Sequence, residues 1–219
     1  MASSTVENYL KRLYMLQQRS DAGDRIAMGG LARAVGVTAG TATSMIKSMA
    51  DAGLVDYAAR DGVRLTSQGQ TLALSVLRRH RIIELFLVEH MGMDWSEVHD
   101  DAEEMEHVIS EKLLERMDAM LGHPAFDPHG DPIPSATGKM TGRKLIPLDQ
   151  LQPGPAAIAR ITDHAPDFLR FLDGLGLVPG EQVELIAHDK LAEVVRLRTA
   201  RGEVALSASA AHRLHVTPK

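Results

Sequence analysis

Two glycines divide residues 28–58 into segments that strongly restrict the fold. Glycine often follows the last turn of a helix because it adopts a left-handed backbone without strain, and Gly36 and Gly53 each end a run of helical composition. Asp61 and Gly62 then separate two short β-prone runs, which is a hairpin signal. An amphipathic helix over residues 4–18 precedes them. This order predicts a winged helix-turn-helix domain.

The second helix of this motif has one apolar and one polar face. Ala42, Ile46 and Met49 recur at helical spacing and are predicted to be buried. The opposite face carries short polar side chains that can approach base edges in a DNA major groove, and nearby basic side chains can contact phosphates. The predicted DNA-binding residues are Thr38, Thr41, Ser44, Lys47, Ser48, Arg60 and Arg64. Because the motif lacks a strong basic run, a protein-interaction or dimerisation module is the alternative.

Charge and cysteine content limit the possible chemistry. The chain has no cysteine and a net charge of −5, so any metal would be held by histidine nitrogen and carboxylate oxygen. Residues 76–141 contain 14 acidic and 6 basic side chains, which fits a solvated acidic surface or a segment neutralised by a cation. No apolar run approaches twenty residues and no secretory signal is seen, so we expect a cytoplasmic protein without membrane contact.

Histidine and glutamate occupy core-facing positions on two predicted helices, residues 68–90 and 96–121. The first helix carries His80 and Glu84 one turn apart, and the second carries a stripe of four such residues. Burying these groups unpaired would cost on the order of several kcal/mol each. Inward-facing stripes closing around Mn²⁺, Fe²⁺, Co²⁺ or Zn²⁺ would explain them, whereas a solvated helix face is the alternative. The stripe on the second helix consists of His99, Glu103, Glu106 and His107.

The amino-acid pattern changes after the predicted helices. Residues 124–143 are rich in proline and glycine and predict a linker. Alternating apolar runs from residue 144 onward predict a small β-barrel or sandwich. We therefore expect a mainly α protein with a small β domain, divided as follows: a winged-helix DNA-binding domain over 1–72, a helical dimerisation and metal-binding domain over 73–123, the linker over 124–143, and the β domain over 144–219.

Several stretches, taken in order, resemble one known family. They are VENYLKRLYML, GLV…GVRLTSQGQTLA, RRHRIIELFL, EVHDDAEEMEH and PHGDPIP, and they span the first 135 residues. This part of the chain resembles the diphtheria-toxin-repressor family of metal-dependent transcription repressors. The β-rich tail resembles the SH3-like, FeoA-type domain of its longer members.

The resemblance implies two metal sites in each chain. One site would use His80, Glu84 and His99, completed by two ligands from the SH3-like domain. Their positions hold His164 and Asp167, where the family usually has Glu and often Gln. The second, activating site would use Glu103, Glu106 and His107 together with Asn8 from the first helix.

The resemblance also bears on which metal is sensed. Iron-sensing members have Cys at the position of Glu103 and Met at that of Asn8, whereas manganese-sensing members favour acidic residues at both. The hard carboxylate of Glu103 points to manganese, and Asn8 is ambiguous. Lys11 stands where some manganese sensors have Glu, which argues against a two-manganese cluster.

The resemblance therefore implies a homodimer that binds operator DNA when loaded with Mn(II) and controls metal-uptake genes. An Fe(II)-responsive repressor of the same family is the alternative, and Co(II), Zn(II), Ni(II) or Cd(II) would substitute in vitro.

Two other classes of function compete with this interpretation. His80, Glu84 and His99 offer the two histidines and one carboxylate of non-haem iron oxygenases. No nucleophile–base pair, oxyanion glycines or phosphate loop accompanies them, so we expect no enzymatic activity and no organic substrate. A winged-helix regulator that senses an organic ligand is the other competitor, and operator binding independent of metal would favour it.

Overall fold

A computed structural model describes residues 3–20, 24–189 and 191–218. The chain divides into two compact units. The first unit contains Met1–His80, Glu106–Ile109 and Pro134–Lys139, and the second contains Arg81–Met105, Ser110–Ile133 and Met140–Lys219.

The first unit contains the predicted winged helix-turn-helix. Its elements are helices α1 (Ser4–Gln17), α2 (Met28–Val35) and α3 (Ala39–Asp51), followed by strands β1 (Val55–Ala58) and β2 (Gly62–Leu65). Gly36 ends α2 with a φ of 76°, and the two strands pair antiparallel. The helix-turn-helix and hairpin predictions are confirmed.

Local signals account for how these helices begin and which faces they bury. The hydroxyl of Ser3 accepts a hydrogen bond from the Val6 N–H and so caps α1. The stripe of Ala42, Ile46 and Met49 on α3 is buried as predicted. The apolar face of α3 therefore packs inward, and its polar face is left outward.

Three further helices follow the wing. They are α4 (Ser67–Met91), α5 (Val98–Met105) and α6 (Glu111–Met120). The prediction of one helix over 96–121 is wrong, because Ser110 starts a new helix by accepting a hydrogen bond from the Leu113 N–H. Glu106 and His107 therefore lie in the turn between α5 and α6 rather than on the stripe of one helix.

The C-terminal part of the second unit is the expected small β domain. Its strands are β3 (Ile146–Pro147), β4 (Gly154–Ile161), β5 (Gln182–Asp189), β6 (Val194–Thr199), β7 (Gly202–Ser207) and β8 (Leu214–Pro218). They form one sheet in the order β3-β8-β4-β5-β6-β7, and every neighbouring pair is antiparallel.

Helices α7 (Pro166–Gly174) and α8 (Ala208–His212) and a 3-10 turn at Leu148–Gln150 complete this β domain. Buried apolar side chains of the sheet, of both helices and of the turn form one core, which includes Ile158, Leu172 and Leu197. Among the described residues, no helix is both long enough and apolar enough to cross a membrane.

Candidate metal centre

A tight loop at residues 125–133 in the second unit builds the core of the candidate site. One carboxylate oxygen of Asp127 accepts hydrogen bonds from the backbone N–H groups of His129 and Asp131, both at 2.9 Å. The backbone N–H of Ile161 on β4 donates to the His129 carbonyl at 2.9 Å. Self-capping by an aspartate is a common way to stabilise a turn, and here it fixes the direction of the two side chains that follow.

This loop lies in the segment 124–143 that the composition predicts to be a linker, and three of its polar residues are buried. Asp127, His129 and Asp131 are buried polar residues. Proline and glycine favour tight turns as well as linkers, and here they form a packed loop. These residues were missed as ligand candidates, although the five positions from Asp127 to Asp131 contain two carboxylates and a histidine.

Three buried side chains of the second unit converge on one point. The potential ligand atoms of Glu84, Asp127 and His129 all lie within 4.8 Å of one another. Glu84 projects from α4, and its Oε2 lies 3.9 Å from Nδ1 of His129. His129 is 0% exposed and Glu84 is 1% exposed. The group thus combines two carboxylates and one imidazole in a volume sheltered from water.

The imidazole of His129 is oriented as a ligand. Its Nε2 lies 3.0 Å from the Trp95 carbonyl oxygen, which can only accept a hydrogen bond, so Nε2 carries the proton. Nδ1 then holds a bare lone pair, and it has no hydrogen-bond partner within the described part of the chain. A backbone carbonyl that fixes the tautomer of a histidine is the usual outer-shell arrangement at metal sites.

Burial and crowding disfavour negative charge on this group. Burial, together with the charges of Asp131 and Glu84, raises the pKa of Asp127 well above its usual range. Burial and the neighbouring His164 lower the pKa of His129 to about 4, so the imidazole is neutral at neutral pH. A neutral imidazole beside two crowded carboxylates fits a divalent metal that accepts nitrogen and oxygen ligands.

A second layer of charged groups surrounds the loop. The carboxylate of Asp131 lies 2.5 Å from the Arg160 guanidinium and 3.3 Å from Nε2 of His164. Burial alone would raise the pKa of Asp131, but the His164 hydrogen bond and the charges of Arg81 and Arg160 outweigh it and lower that pKa. The rings of His164 and His129 stack with centroids 4.2 Å apart. Asp131 is therefore held as an anion beside the group.

His164 carries the complementary charge of this layer. Burial by itself would lower the pKa of His164, but its hydrogen bond to Asp131 and the nearby carboxylates raise it.

His99 lies beside the same group. Its Nδ1 is 3.1 Å from Oε1 of Glu84, and its Nε2 is 3.7 Å from Oε1 of Glu103. Asp167, in contrast, is not brought to the group, because its side chain is 97% exposed and pairs with Arg170 at 2.7 Å. Of the two ligand candidates from the β domain, the structure therefore places His164 next to the loop and Asp167 on the surface.

The first unit gathers a separate set of candidate residues. Glu106 is fully buried, and its carboxylate contacts Nζ of Lys11 at 2.6 Å and Nδ1 of His80 at 2.7 Å. His107 lies 2.9 Å from Oδ1 of Asn8 through Nε2. Glu103 belongs to the other unit, so Asn8, Glu106 and His107 are the predicted activating ligands that come together here. The carboxylate of Glu106 already contacts the ammonium group of Lys11.

The polar face of α3 is accessible, as DNA contact would require. Thr38 caps the helix by accepting a hydrogen bond from the Thr41 N–H. In the wing, Arg64 pairs with Asp56 at 2.9 Å, and Asp56 also binds Arg25. Arg64 would have to exchange this carboxylate for a phosphate. All seven predicted DNA-binding residues are exposed: Thr38, Thr41, Ser44, Lys47, Ser48, Arg60 and Arg64.

Comparison with known proteins identifies matches along nearly the whole chain. Residues 1–63 match the model of the iron dependent repressor N-terminal DNA binding domain. Residues 66–135 match the iron dependent repressor metal binding and dimerisation domain, and residues 146–218 match the FeoA domain.

Individual relatives agree with these matches. The iron-dependent repressor IdeR of Mycobacterium leprae is 31% identical over 192 residues, which is 82% of each chain. The diphtheria toxin repressor of Corynebacterium diphtheriae is 27% identical over 197 residues, which is 84% of this chain and 85% of that one. Both relatives are repressors by name.

Solved structures give the same likeness in three dimensions. A manganese-dependent transcriptional repressor in complex with manganese has a TM-score of 0.87 and 37% identity, and the match covers 98% of this chain and all of the other. The manganese regulator SloR has a TM-score of 0.76 and 28% identity over the full length of both chains.

Proposed function

This chain belongs to the diphtheria-toxin-repressor family of metal-dependent transcription repressors, and we propose that within this family it responds to Mn(II). Its relatives are repressors, which sets the metalloenzyme alternative aside. We propose that the protein binds operator DNA in the cytoplasm as a homodimer and represses genes of metal-ion uptake.

The observation that carries this proposal is the buried group of Glu84, Asp127 and His129. Its donors are two carboxylates and a neutral imidazole without sulfur, a set that suits Mn²⁺ and also accepts Fe²⁺, Co²⁺ or Zn²⁺. We assign Glu84, Asp127 and His129 as the ligands of this site, with His99 beside them. When bound there, a divalent cation would neutralise the repulsion between the two carboxylates.

The residues around the ligands hold them in position. The Trp95 carbonyl keeps the His129 tautomer, and the backbone N–H groups of the loop orient Asp127. Arg81 lies 3.4 Å from the other oxygen of Asp127 and steadies it from α4. Such outer contacts typically change metal affinity by about 10–100-fold when they are lost.

DNA contact is assigned to the outward face of α3 and to the wing. Thr41 and Ser44 lie near the N-terminus of α3, which is the end that approaches bases in winged helices. Their hydroxyls discriminate bases weakly, so DNA shape is expected to contribute to sequence preference. We assign Lys47, Arg60 and Arg64 to phosphates, which supply affinity rather than specificity.

A dimer is supported by apolar residues left at the surface of the second unit. Leu113 and Met120 lie two turns apart on α6 and are 47% and 63% exposed. Met91, at the end of α4, is 63% exposed as well. A two-fold dimer would cover such residues and would place two recognition helices about 34 Å apart, one turn of DNA.

The metal response can be tested by fluorescence anisotropy with two labelled DNA duplexes. One duplex is selected from a random-sequence pool with Mn²⁺ present and the other with chelator present. We expect Mn²⁺ to strengthen binding to the first duplex by about 5–150-fold, the usual range of allosteric coupling, and chelator to reverse the effect. Equal binding with and without metal would refute the proposal and favour a regulator of another ligand.

An Fe(II)-responsive repressor is the second candidate, because the relative from Mycobacterium leprae is named for iron dependence. The same titration with Fe²⁺ under anaerobic conditions decides between them. A lower half-saturating concentration for Fe²⁺ than for Mn²⁺ would favour iron.

A further inference from the structure

Lys11 makes a buried ion pair in the first unit. Its Nζ donates to both carboxylate oxygens of Glu106, at 2.6 and 2.8 Å. Lys11 is 2% exposed and Glu106 is 0% exposed. A lysine is rarely buried this deeply unless it is paired, and this one lies on the inward face of α1.

A second ion pair lies beside this one. His107 contacts Glu7 through Nδ1 at 2.6 Å and Asn8 through Nε2 at 2.9 Å. Arg79 from α4 binds the other oxygen of Glu7 at 2.9 Å. Glu7 and Glu106 thus each contact a permanent cation, and Glu106 also lies 2.7 Å from Nδ1 of His80. In the second unit, in contrast, the imidazole of His129 is left with a bare lone pair.

We propose that the Lys11 ammonium supplies the positive charge that the family resemblance assigns to an activating metal beside Asn8, Glu106 and His107. The ammonium ties α1 to the turn at residues 106–109 whether or not metal is present. The metal response of this chain then belongs to the group of Glu84, Asp127 and His129. This inference rests on the proposed function, because it concerns which of two groups senses the ion.

The residues of the first group do not fit a divalent ion while Lys11 is present. Both oxygens of Glu106 already accept hydrogen bonds from the ammonium. An ion held by the same carboxylate would lie within a few ångströms of a like charge in a buried setting, where repulsion is weakly screened. Lys11 would have to leave its buried position before Glu106 could act as a ligand.

Counting bound Mn²⁺ tests this directly. The signal of free Mn²⁺ in electron paramagnetic resonance gives the number of ions bound per chain. The variants are Lys11→Gln, Glu106→Gln and His129→Gln, with Lys139→Glu as a control at an exposed lysine of the same unit. Thermal melting checks that each variant folds, and His107→Gln replaces Glu106→Gln if the latter does not.

We expect Glu106→Gln and the control to bind as many ions as the wild type. Lys11→Gln should bind one more ion per chain, because Glu106, His107 and Asn8 are then without the ammonium, and His129→Gln should bind one fewer. Loss of an ion in Glu106→Gln, or no gain in Lys11→Gln, would overturn the inference. A wild-type chain that binds no Mn²⁺ would instead refute the proposed function, so the two failures are distinguishable.

Discussion

At the scale of single residues, His129 determines what the candidate metal centre can hold. Its protonated Nε2 faces the Trp95 carbonyl, and its bare Nδ1 faces Glu84. Burial lowers the pKa of the imidazole to about 4, so the side chain is neutral at neutral pH. A ligand nitrogen must be unprotonated, and the surroundings of His129 ensure this before any ion arrives.

The lowered pKa of His129 predicts how stability depends on pH in metal-free protein. In the unfolded chain the imidazole takes up a proton near pH 6.5, whereas in the folded chain it does so near pH 4. At this residue the unfolded state therefore binds more protons between these values, and the contribution of His129 to stability falls as the pH is lowered from 6.5 towards 4, by at most about 3 kcal/mol. Urea unfolding in chelator at pH 7, 6 and 5 measures this.

His129→Gln is the comparison for this experiment, because it lacks the titrating group. Asp127 and His164 act in the opposite sense, because their pKa values are raised. Their contributions are present at low pH and are lost as the pH rises, so the effect of His129 is read from the difference between wild type and variant. If the free energy of unfolding changed by the same amount in wild type and in His129→Gln between pH 7 and pH 5, the lowered pKa of His129 would be contradicted.

At the scale of elements, the loop at residues 125–133 positions two of the three proposed ligands. Gly130 has a φ of 84°, which disfavours a residue with a side chain. A Cβ at this position would lie 2.0 Å from the Ala159 carbonyl oxygen on β4. The loop therefore approaches the β domain more closely than any residue except glycine permits.

Gly130→Ala should therefore loosen the loop and weaken the metal centre. We expect a loss of at least about 2 kcal/mol in the free energy of unfolding, from backbone strain and overlap together. The half-saturating Mn²⁺ concentration should rise as well, because the positions of Asp127 and His129 depend on the loop. Urea unfolding and Mn²⁺ titration measure the two effects.

Gly142→Ala is the matched control, because a Cβ there meets nothing within 4 Å. If the Gly130→Ala and Gly142→Ala variants had the same free energy of unfolding, the close contact between Gly130 and β4 would be contradicted.

The elements that sequence patterns predicted correctly depend on local signals. The glycine at the end of α2 and the buried stripe of α3 involve residues within a few positions of one another. The break between α5 and α6 was missed because the His and Glu spacing suggested continuity, although Ser110 followed by Glu111 is a helix-start signal.

The candidate site depends on contacts that no local pattern contains. Lys11 and Glu106 are 95 positions apart, and periodicity does not report which charged residues meet. The loop at residues 125–133 was interpreted as a linker, because proline and glycine content does not distinguish a packed turn from a solvated one.

At the scale of the whole molecule, the residues proposed to sense metal and those proposed to bind DNA belong to different units. The proposed DNA-binding residues lie in the first unit, and the group of Glu84, Asp127 and His129 lies in the second. Helix α4 runs through both units. If metal binding and DNA binding are coupled, DNA must raise the affinity for metal by the same factor as metal raises the affinity for DNA.

We propose that the metal response of the whole protein depends on the group of Glu84, Asp127 and His129. The most direct test is the Mn²⁺ dependence of DNA binding, followed by anisotropy, in wild type, His129→Gln and Asp127→Asn. The latter variant keeps an acceptor for the loop N–H groups while removing the charge.

His212→Gln, at an exposed histidine of the β domain, is the control. We predict that the half-maximal Mn²⁺ concentration rises at least about 100-fold in both site variants and stays unchanged in the control. Site variants that respond to Mn²⁺ at the wild-type concentration would show that the metal response does not depend on this group.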